Sequence, residues 1–277
     1  MLAKDIHGTL LQRAYSVKKR FLGMYKSVNA GHVGCSLSCA EILTYVRFGW
    51  WQEGDEIILS KGHAAASLYS VLAEAGVLSE EEIGTFYRNN TYLAAHPPTN
   101  KIKGIPFATG SLGHGLSLAA GLGLAKKLKK EDKKIFGITS DGEINEGSTW
   151  EAALFIAHHG LKNVVWLIDR NKLQGFGKTE DVMQLEPLDK KLEAFGFEVM
   201  VINGHDFAAF HDAKEKASKS DKPVAIICNT VKGNNWITYE GMVDSHYLPM
   251  KDDQYDIVTR EIERYYANCV ESLNTTL

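Results

Sequence analysis

Cysteine is scarce. Cys35, Cys39, Cys228 and Cys269 are the four in 277 residues, with no Cys-x-x-Cys pair and no Cys/His spacing of a structural zinc site. A disulfide framework or a zinc-organised fold is therefore not expected; the four read as reduced thiols, and Cys35 and Cys39 as small apolar residues near one face of a helix. Long apolar runs are missing too. No segment approaches the roughly 20 apolar residues of a membrane span, and the opening MLAKDIHGTLLQRAYSVKKR lacks the apolar centre of a signal peptide, so a cytoplasmic location is expected. Nor is there an excess of either charge. A net of −3 gives no attraction to nucleic acid or to an anionic membrane, and the basic run from Lys126 to Lys134 is broken by acids and reads as the solvated end of a helix. Repeats, low-complexity stretches and linkers are not seen.

What remains is a chain with 44% hydrophobic residues, long enough for one large α/β domain over 1–277 with a C-terminal helical extension at about 254–274. Apolar spacing predicts a helix over 4–28 and a second over about 38–48, the latter opened by Ser38 and Glu41 in capping-box register. A short strand, Glu56–Ser60, leads to a helix starting near His63, and Ser79 and Glu82 form another capping-box pair. Residues 89–110 form a long loop, of a length that is often functional. A Gly/Ala-rich helix (Leu112–Leu128) follows, and further on come strands at Phe197–Ile202 and Val224–Asn229 with the helix Asp206–Lys216 between them. The final segment, Tyr255–Leu273, is amphipathic. Strand and helix alternate, which predicts a doubly wound parallel sheet with helices on both faces.

The centre of the chain carries the chemistry. Residues 134–140 (KIFGITS) form an apolar strand ending at Asp141-Gly142, residues 148–160 are helical in pattern, and Asn163–Ile168 is a second strand running into Asp169-Arg170-Asn171. This is a βαβ unit, whose right-handed crossover makes the strands parallel, so Asp141 and Asn171 both emerge at the carboxyl edge of the sheet. A carboxylate, a carboxamide and a backbone carbonyl such as that of Leu173 suit Mg2+, which takes few protein oxygens alongside substrate phosphates. Gly142 permits close approach of a phosphate to the backbone. A lone Asp-Gly would be read as a turn, but two oxygen donors at matched strand ends argue for a site.

These residues resemble the thiamine diphosphate motif, which opens with Gly-Asp-Gly and closes on Asn; here Ser140 replaces the first Gly. Further blocks, in order, resemble the N-terminal half of transketolase: NAGHVGCSLS at 29–38, LSKGHAAASLY at 59–69, AHPP at 95–98, TGSLGHG at 109–115, NGHD at 203–206 and SHYLP at 245–249. The ordered set covers nearly the whole chain. The resemblance implies thiamine diphosphate and Mg2+ as cofactors and transfer of a two-carbon ketol unit from a ketose or ketose phosphate donor to an aldose acceptor. It implies that His32 and His96 face the donor sugar, that His63 lies near the diphosphate and the reacting centre, and that His246 contacts the diphosphate and assists proton transfer. The surroundings of His246, Ser245 and Tyr247, depart from the family, which usually has Trp or a Gly-flanked residue there. The Gly110 carbonyl would meet the cofactor's amino group, Leu112 would pack against it, and Glu146 would lie at a subunit interface facing the partner's activating Glu. Unaided by resemblance, each histidine reads as a surface or capping residue.

Full-length transketolases carry a second domain that binds the aminopyrimidine, and a third. Their absence implies the N-terminal subunit of a split transketolase, paired with a separately encoded pyrimidine-binding C-terminal subunit in an α2β2 hetero-oligomer. Two alternatives stand beside it: the α-type subunit of a thiamine-diphosphate-dependent 2-oxoacid dehydrogenase, against which KGH at 61–63 and HP at 96–97 weigh, and a noncatalytic binding paralogue.

Overall fold

In the computed structural model, which describes residues 2–275, helices α1 (Lys4–Val28) and α2 (Val33–Tyr45), the latter extended by a wide turn at Val46–Trp50, precede strand β1 (Glu56–Leu59). Helix α3 (Ala65–Glu74) and the single turn α4 (Glu80–Ile83) lead into the long loop, after which come α5 (Gly115–Leu128), β2 (Ile135–Ser140), α6 (Gly147–His158) and β3 (Val164–Arg170). A small hairpin, β4 (Leu173–Gln174) and β5 (Gly177–Lys178), is followed by α7 (Thr179–Val182), α8 (Leu188–Phe195), β6 (Glu198–Asn203), α9 (Phe207–Ala217) and β7 (Val224–Asn229). The chain closes through α10 (Asp244–Tyr247) and α11 (Asp252–Thr275). No helix among the described residues is long and apolar enough to cross a membrane.

The five main strands run in the order β1-β2-β3-β7-β6, and every pairing is parallel. Because side chains alternate across a strand, each central strand feeds two cores. Phe136, Ile138, Val165, Leu167, Val224 and Ile226 point to one face, toward residues of α1, α2, α3, α9 and α11. Ile135, Val164, Trp166, Ile168, Ala225 and Ile227 point to the other, toward α5, α6 and α8. Burial on both faces explains why β2 and β3 read as unbroken apolar runs. Helix α5 lies close on this sheet because it lacks bulk where it touches: a Cβ on Gly123 would stand 2.4 Å from Val164 Cγ2.

Several elements differ from the sequence reading. Helix α2 starts at Val33, so Ser38 and Glu41 are interior and buried rather than a capping box. Their polarity serves tertiary partners instead: Ser38 bonds Asp169 at 2.6 Å, and Glu41 pairs with Lys18 at 2.7 Å and His205 at 3.0 Å. Helix α5 begins at Gly115, not Leu112, because the left-handed Gly110 and Gly113 (φ +130° and +85°) hold a turn there. The hairpin β4–β5 and helix α8 are additional to the predicted elements. The capping box at Ser79 and Glu82 is present in both directions.

Candidate cofactor site

The register Ser140↔Asp169 brings the ends of β2 and β3 together, so Asp141 and Asn171 leave the sheet side by side. Asp141 is buried. Its Oδ2 accepts from Arg170 at 3.1 Å, from the Lys172 amide at 2.6 Å and from Thr179 at 3.1 Å, and its Oδ1 from the Gly142 amide at 3.0 Å. Burial and the neighbouring Asp169 carboxylate push its pKa up, and Arg170 opposes them. Asn171 Oδ1 accepts from the Leu173 amide at 3.1 Å, while the Leu173 carbonyl accepts from the Lys232 ammonium at 2.9 Å.

Four imidazoles approach from other segments. His32, His63 and His246 form a triangle, with ring centroids 5.5, 5.4 and 5.4 Å apart. His32 is fixed at the start of α2 by a left-handed backbone (φ 70°) and by its amide, which donates to the His246 carbonyl at 2.9 Å. Gly31 allows this approach, since a Cβ there would lie 2.1 Å from the Tyr247 carbonyl oxygen. His96 packs on Gly110, where a Cβ would come within 2.5 Å of its ring. All four pKa values are lowered. Desolvation is the main cause throughout; the Lys61 ammonium reinforces it at His63, and Lys232 at His246, whose pKa falls to about 3. Near neutral pH the four rings are therefore neutral and able to accept protons.

Beneath them lies a charged layer that the sequence reading missed. Lys61 and Asp169, both buried, form an ion pair. Lys61 also donates to the Cys35 carbonyl at 3.0 Å and to Ser38 at 3.2 Å, and Thr230 donates to Asp169. Burial alone would neutralise each partner, but their mutual attraction outweighs it, lowering the Asp169 pKa and raising that of Lys61. Glu143, also missed, joins three segments: its carboxylate accepts from the Gly113 amide at 3.0 Å, the Ser140 amide at 2.9 Å and the Ser60 hydroxyl. The available signal was position, since Asp169 and Lys61 stand directly at the ends of apolar strands.

Eleven residues stand out from sequence: His32, His63, His96, Gly110, Leu112, Asp141, Gly142, Glu146, Asn171, Leu173 and His246. All of them line one cavity of about 300 Å3 at the carboxyl edge of the sheet, together with Cys35, Lys61, Gln174, Lys232 and Tyr247. Glu146 is exposed at its rim. The donor set suits the implied cofactors. Asp141, Asn171 and the Leu173 carbonyl offer hard oxygens, the kind Mg2+ takes, and the Leu173 carbonyl already bonds a cation, the Lys232 ammonium. A Cβ on Gly142 would meet nothing nearer than Gln174 Cγ at 3.6 Å, so the chain's own packing does not require glycine there and the space is open to a ligand. Gln174 Nε2 is buried without a protein acceptor on the cavity wall.

Residues 15–263 match the family described as transketolase, thiamine diphosphate binding domain. The chain is 38% identical over 264 residues to an apulose-4-phosphate transketolase subunit from Actinobacillus succinogenes, covering 92% of this chain and 96% of that one. It is 35% identical over 265 residues to the 6-deoxy-6-sulfo-D-fructose transketolase subunit SqwG of a Clostridium species, covering 92% and 96%. Among solved structures, the transketolase of Campylobacter jejuni superposes with a TM-score of 0.86 at 28% identity, over 99% of this chain and 46% of that one. The chain thus spans about half the length of that transketolase. From the match over most of its length, the chain belongs to the transketolase family through its thiamine diphosphate binding domain.

Proposed function

We propose that this chain is the diphosphate-binding subunit of a two-chain transketolase, which moves a two-carbon ketol unit from a ketose or ketose phosphate to an aldose acceptor. The observation that carries the reading is the convergence of eleven residues from separate segments on one cavity at the sheet's carboxyl edge. Relatives of similar length are named as transketolase subunits, which supports the existence of a partner chain; in the proposed enzyme that partner binds the pyrimidine end, in an α2β2 assembly.

Thiamine diphosphate, when bound, supplies the carbon nucleophile and electron sink. The chain's own residues bind and move protons. Asp141, Asn171 and the Leu173 carbonyl would hold Mg2+, and with the metal there the Lys232 ammonium is free to turn toward phosphate oxygens. His63 and His246 would face the diphosphate and the reacting carbon. The Gly110 carbonyl and Leu112 would hold the amino-bearing ring, and Glu146 would meet the partner's Glu. His32, half-buried, and His96, exposed at the cavity mouth, both neutral, would take a donor hydroxyl proton and return it to the acceptor, a role worth about a hundredfold or more in rate. The test is to purify the chain alone and with a candidate pyrimidine-binding partner, and to assay both ketol transfer and oxidative decarboxylation of a 2-oxoacid. Ketol transfer by the pair is expected; full activity from the isolated chain, or decarboxylation alone, would overturn the proposal.

A further inference from the structure

His205, in the NGHD block at 203–206, has no part in the proposed ketol transfer, yet its ring joins a buried charge pair to the segment that carries Lys232. The buried Glu41 carboxylate, on α2, takes Lys18 at 2.7 Å, the Tyr266 hydroxyl, and His205 Nδ1 at 3.0 Å. Burial would raise the Glu41 pKa, but the Lys18 ammonium outweighs it and brings it to about 2, so this acceptor is an anion. On the other side of the ring, Nε2 accepts from the Val231 amide at 2.9 Å. That bond needs a lone pair on Nε2, so the ring proton sits on Nδ1 and is given to Glu41. The Asn234 side-chain amide stands 3.0 Å from Nδ1 and, turned with its oxygen inward, shares the same proton.

Val231 and Asn234 flank Lys232, a buried side chain whose ammonium rests on two neutral groups, the Leu173 carbonyl at 2.9 Å and His246 Nδ1 at 2.8 Å. Farther along the same segment, Asn235 accepts from Lys18 at 2.9 Å. The Lys18–Glu41 pair therefore grips the segment on both sides of Lys232, through His205 at Val231 and directly at Asn235. A lysine is a point charge on a flexible stem, so where its ammonium comes to rest depends on how its backbone is held. We propose that His205 is a positioning residue: by fixing the Val231 amide it holds Lys232 where its ammonium meets the cofactor's diphosphate. The inference rests on the diphosphate site of the proposed function. His205 is set behind the cavity wall and acts only through Lys232, while Glu41 sets its tautomer, as a carboxylate does behind a metal-bound histidine.

Two substitutions separate this role from a purely structural one. In His205→Asn the side-chain amide can still donate to Glu41 but cannot reach Val231; in His205→Gln the side-chain oxygen can reach Val231 while the donor to Glu41 is lost. The full chain is titrated with thiamine diphosphate in Mg2+ by calorimetry, and hydrogen exchange of the Val231 amide is followed by NMR. His205→Asn should lose roughly three- to tenfold in affinity, the worth of one neutral hydrogen bond, and should speed exchange at Val231. His205→Gln should recover most of both. In a Lys232→Met background the Asn substitution should make no further difference to affinity, because the group it positions is gone. A Gln variant as weak as the Asn variant, an Asn variant that binds normally or fails to fold by circular dichroism, or an Asn penalty that persists without the Lys232 ammonium would overturn the proposal and leave the diphosphate site standing. Absence of binding by the unaltered chain would overturn the diphosphate site, and this inference with it.

Discussion

His63 and His246 are neutral chiefly because burial withholds the water that would solvate a protonated ring, and the ammonium groups of Lys61 and Lys232 facing the same cavity reinforce this. That has a consequence for stability in acid. In the unfolded chain His246 titrates near 6.5, and in the folded chain near 3, so the unfolded state binds the proton first. Its contribution is fully present above pH 6.5 and is lost as pH falls toward 3. In urea unfolding, His246→Gln should therefore show a shallower loss of stability across that window, by less than one proton because the ring is partly solvent-screened; equal slopes would contradict the shift. Asp141→Ala tests the metal reading. Arg170 keeps Glu186 at 3.0 Å as well as Glu180, so the fold should survive while Mg2+-dependent thiamine diphosphate binding is abolished by calorimetry. Unchanged binding would remove the assignment. Lys61→Met leaves the buried Asp169 carboxylate without its cation and should cost about 3–5 kcal/mol in denaturant unfolding. The exposed pair Lys162–Asp221 makes the contrast, and Lys162→Met should have no measurable effect.

Among the elements, the loops rather than the helices shape the cavity. Gly62 precedes His63, and a Cβ there would meet the Gly110 amide nitrogen and the Thr109 carbonyl carbon and oxygen, all at 2.7 Å. These are backbone atoms and cannot swing aside. Gly62→Ala should separate the Lys61–His63 turn from the Gly110 turn and weaken cofactor binding at least severalfold, with unchanged helix content by circular dichroism. Near-normal affinity would show that the two turns need not touch. Gly121 is the opposite case: it lies in the interior of α5 with nothing within 4 Å of an added methyl, so Gly121→Ala should stabilise the isolated chain by about 0.5–1 kcal/mol. Helix α5 turns one face inward. Leu116, Ala119, Ala120 and Gly123 are buried against the chain's own sheet and α6, leaving only the opposite face available.

At the scale of the molecule, the face beside that helix exposes large apolar side chains: Leu154 and Phe155 on α6 are 52% and 39% exposed, and Leu128 at the end of α5 is 74% exposed. An obligate subunit interface is large and apolar, which suits this face in the proposed two-chain enzyme. Leu154→Lys should leave the isolated chain folded but prevent assembly with a pyrimidine-binding partner, measured by light scattering after size exclusion. An intact hetero-oligomer in that variant would place the interface elsewhere.

Sequence alone determined the parallel sheet, because apolar runs of strand length alternating with helical periodicity admit few other packings, and it placed Asp141 and Asn171 at neighbouring strand ends, because a βαβ crossover fixes both the direction and the edge at which the next residues emerge. Tertiary structure decided the partners of the charges. Lys61 and Asp169 are separated by 108 residues along the chain, and Lys18 and Asn235 by 217; no local pattern distinguishes such side chains from solvated ones. The same holds for Ser38 and Glu41, whose spacing fits a cap but whose surroundings are buried, since a helix start depends on where the preceding backbone turns. His32 at φ 70° and Gly31 against Tyr247 set that turn by a contact more than 200 residues away in sequence, and only the folded chain brings the two ends together.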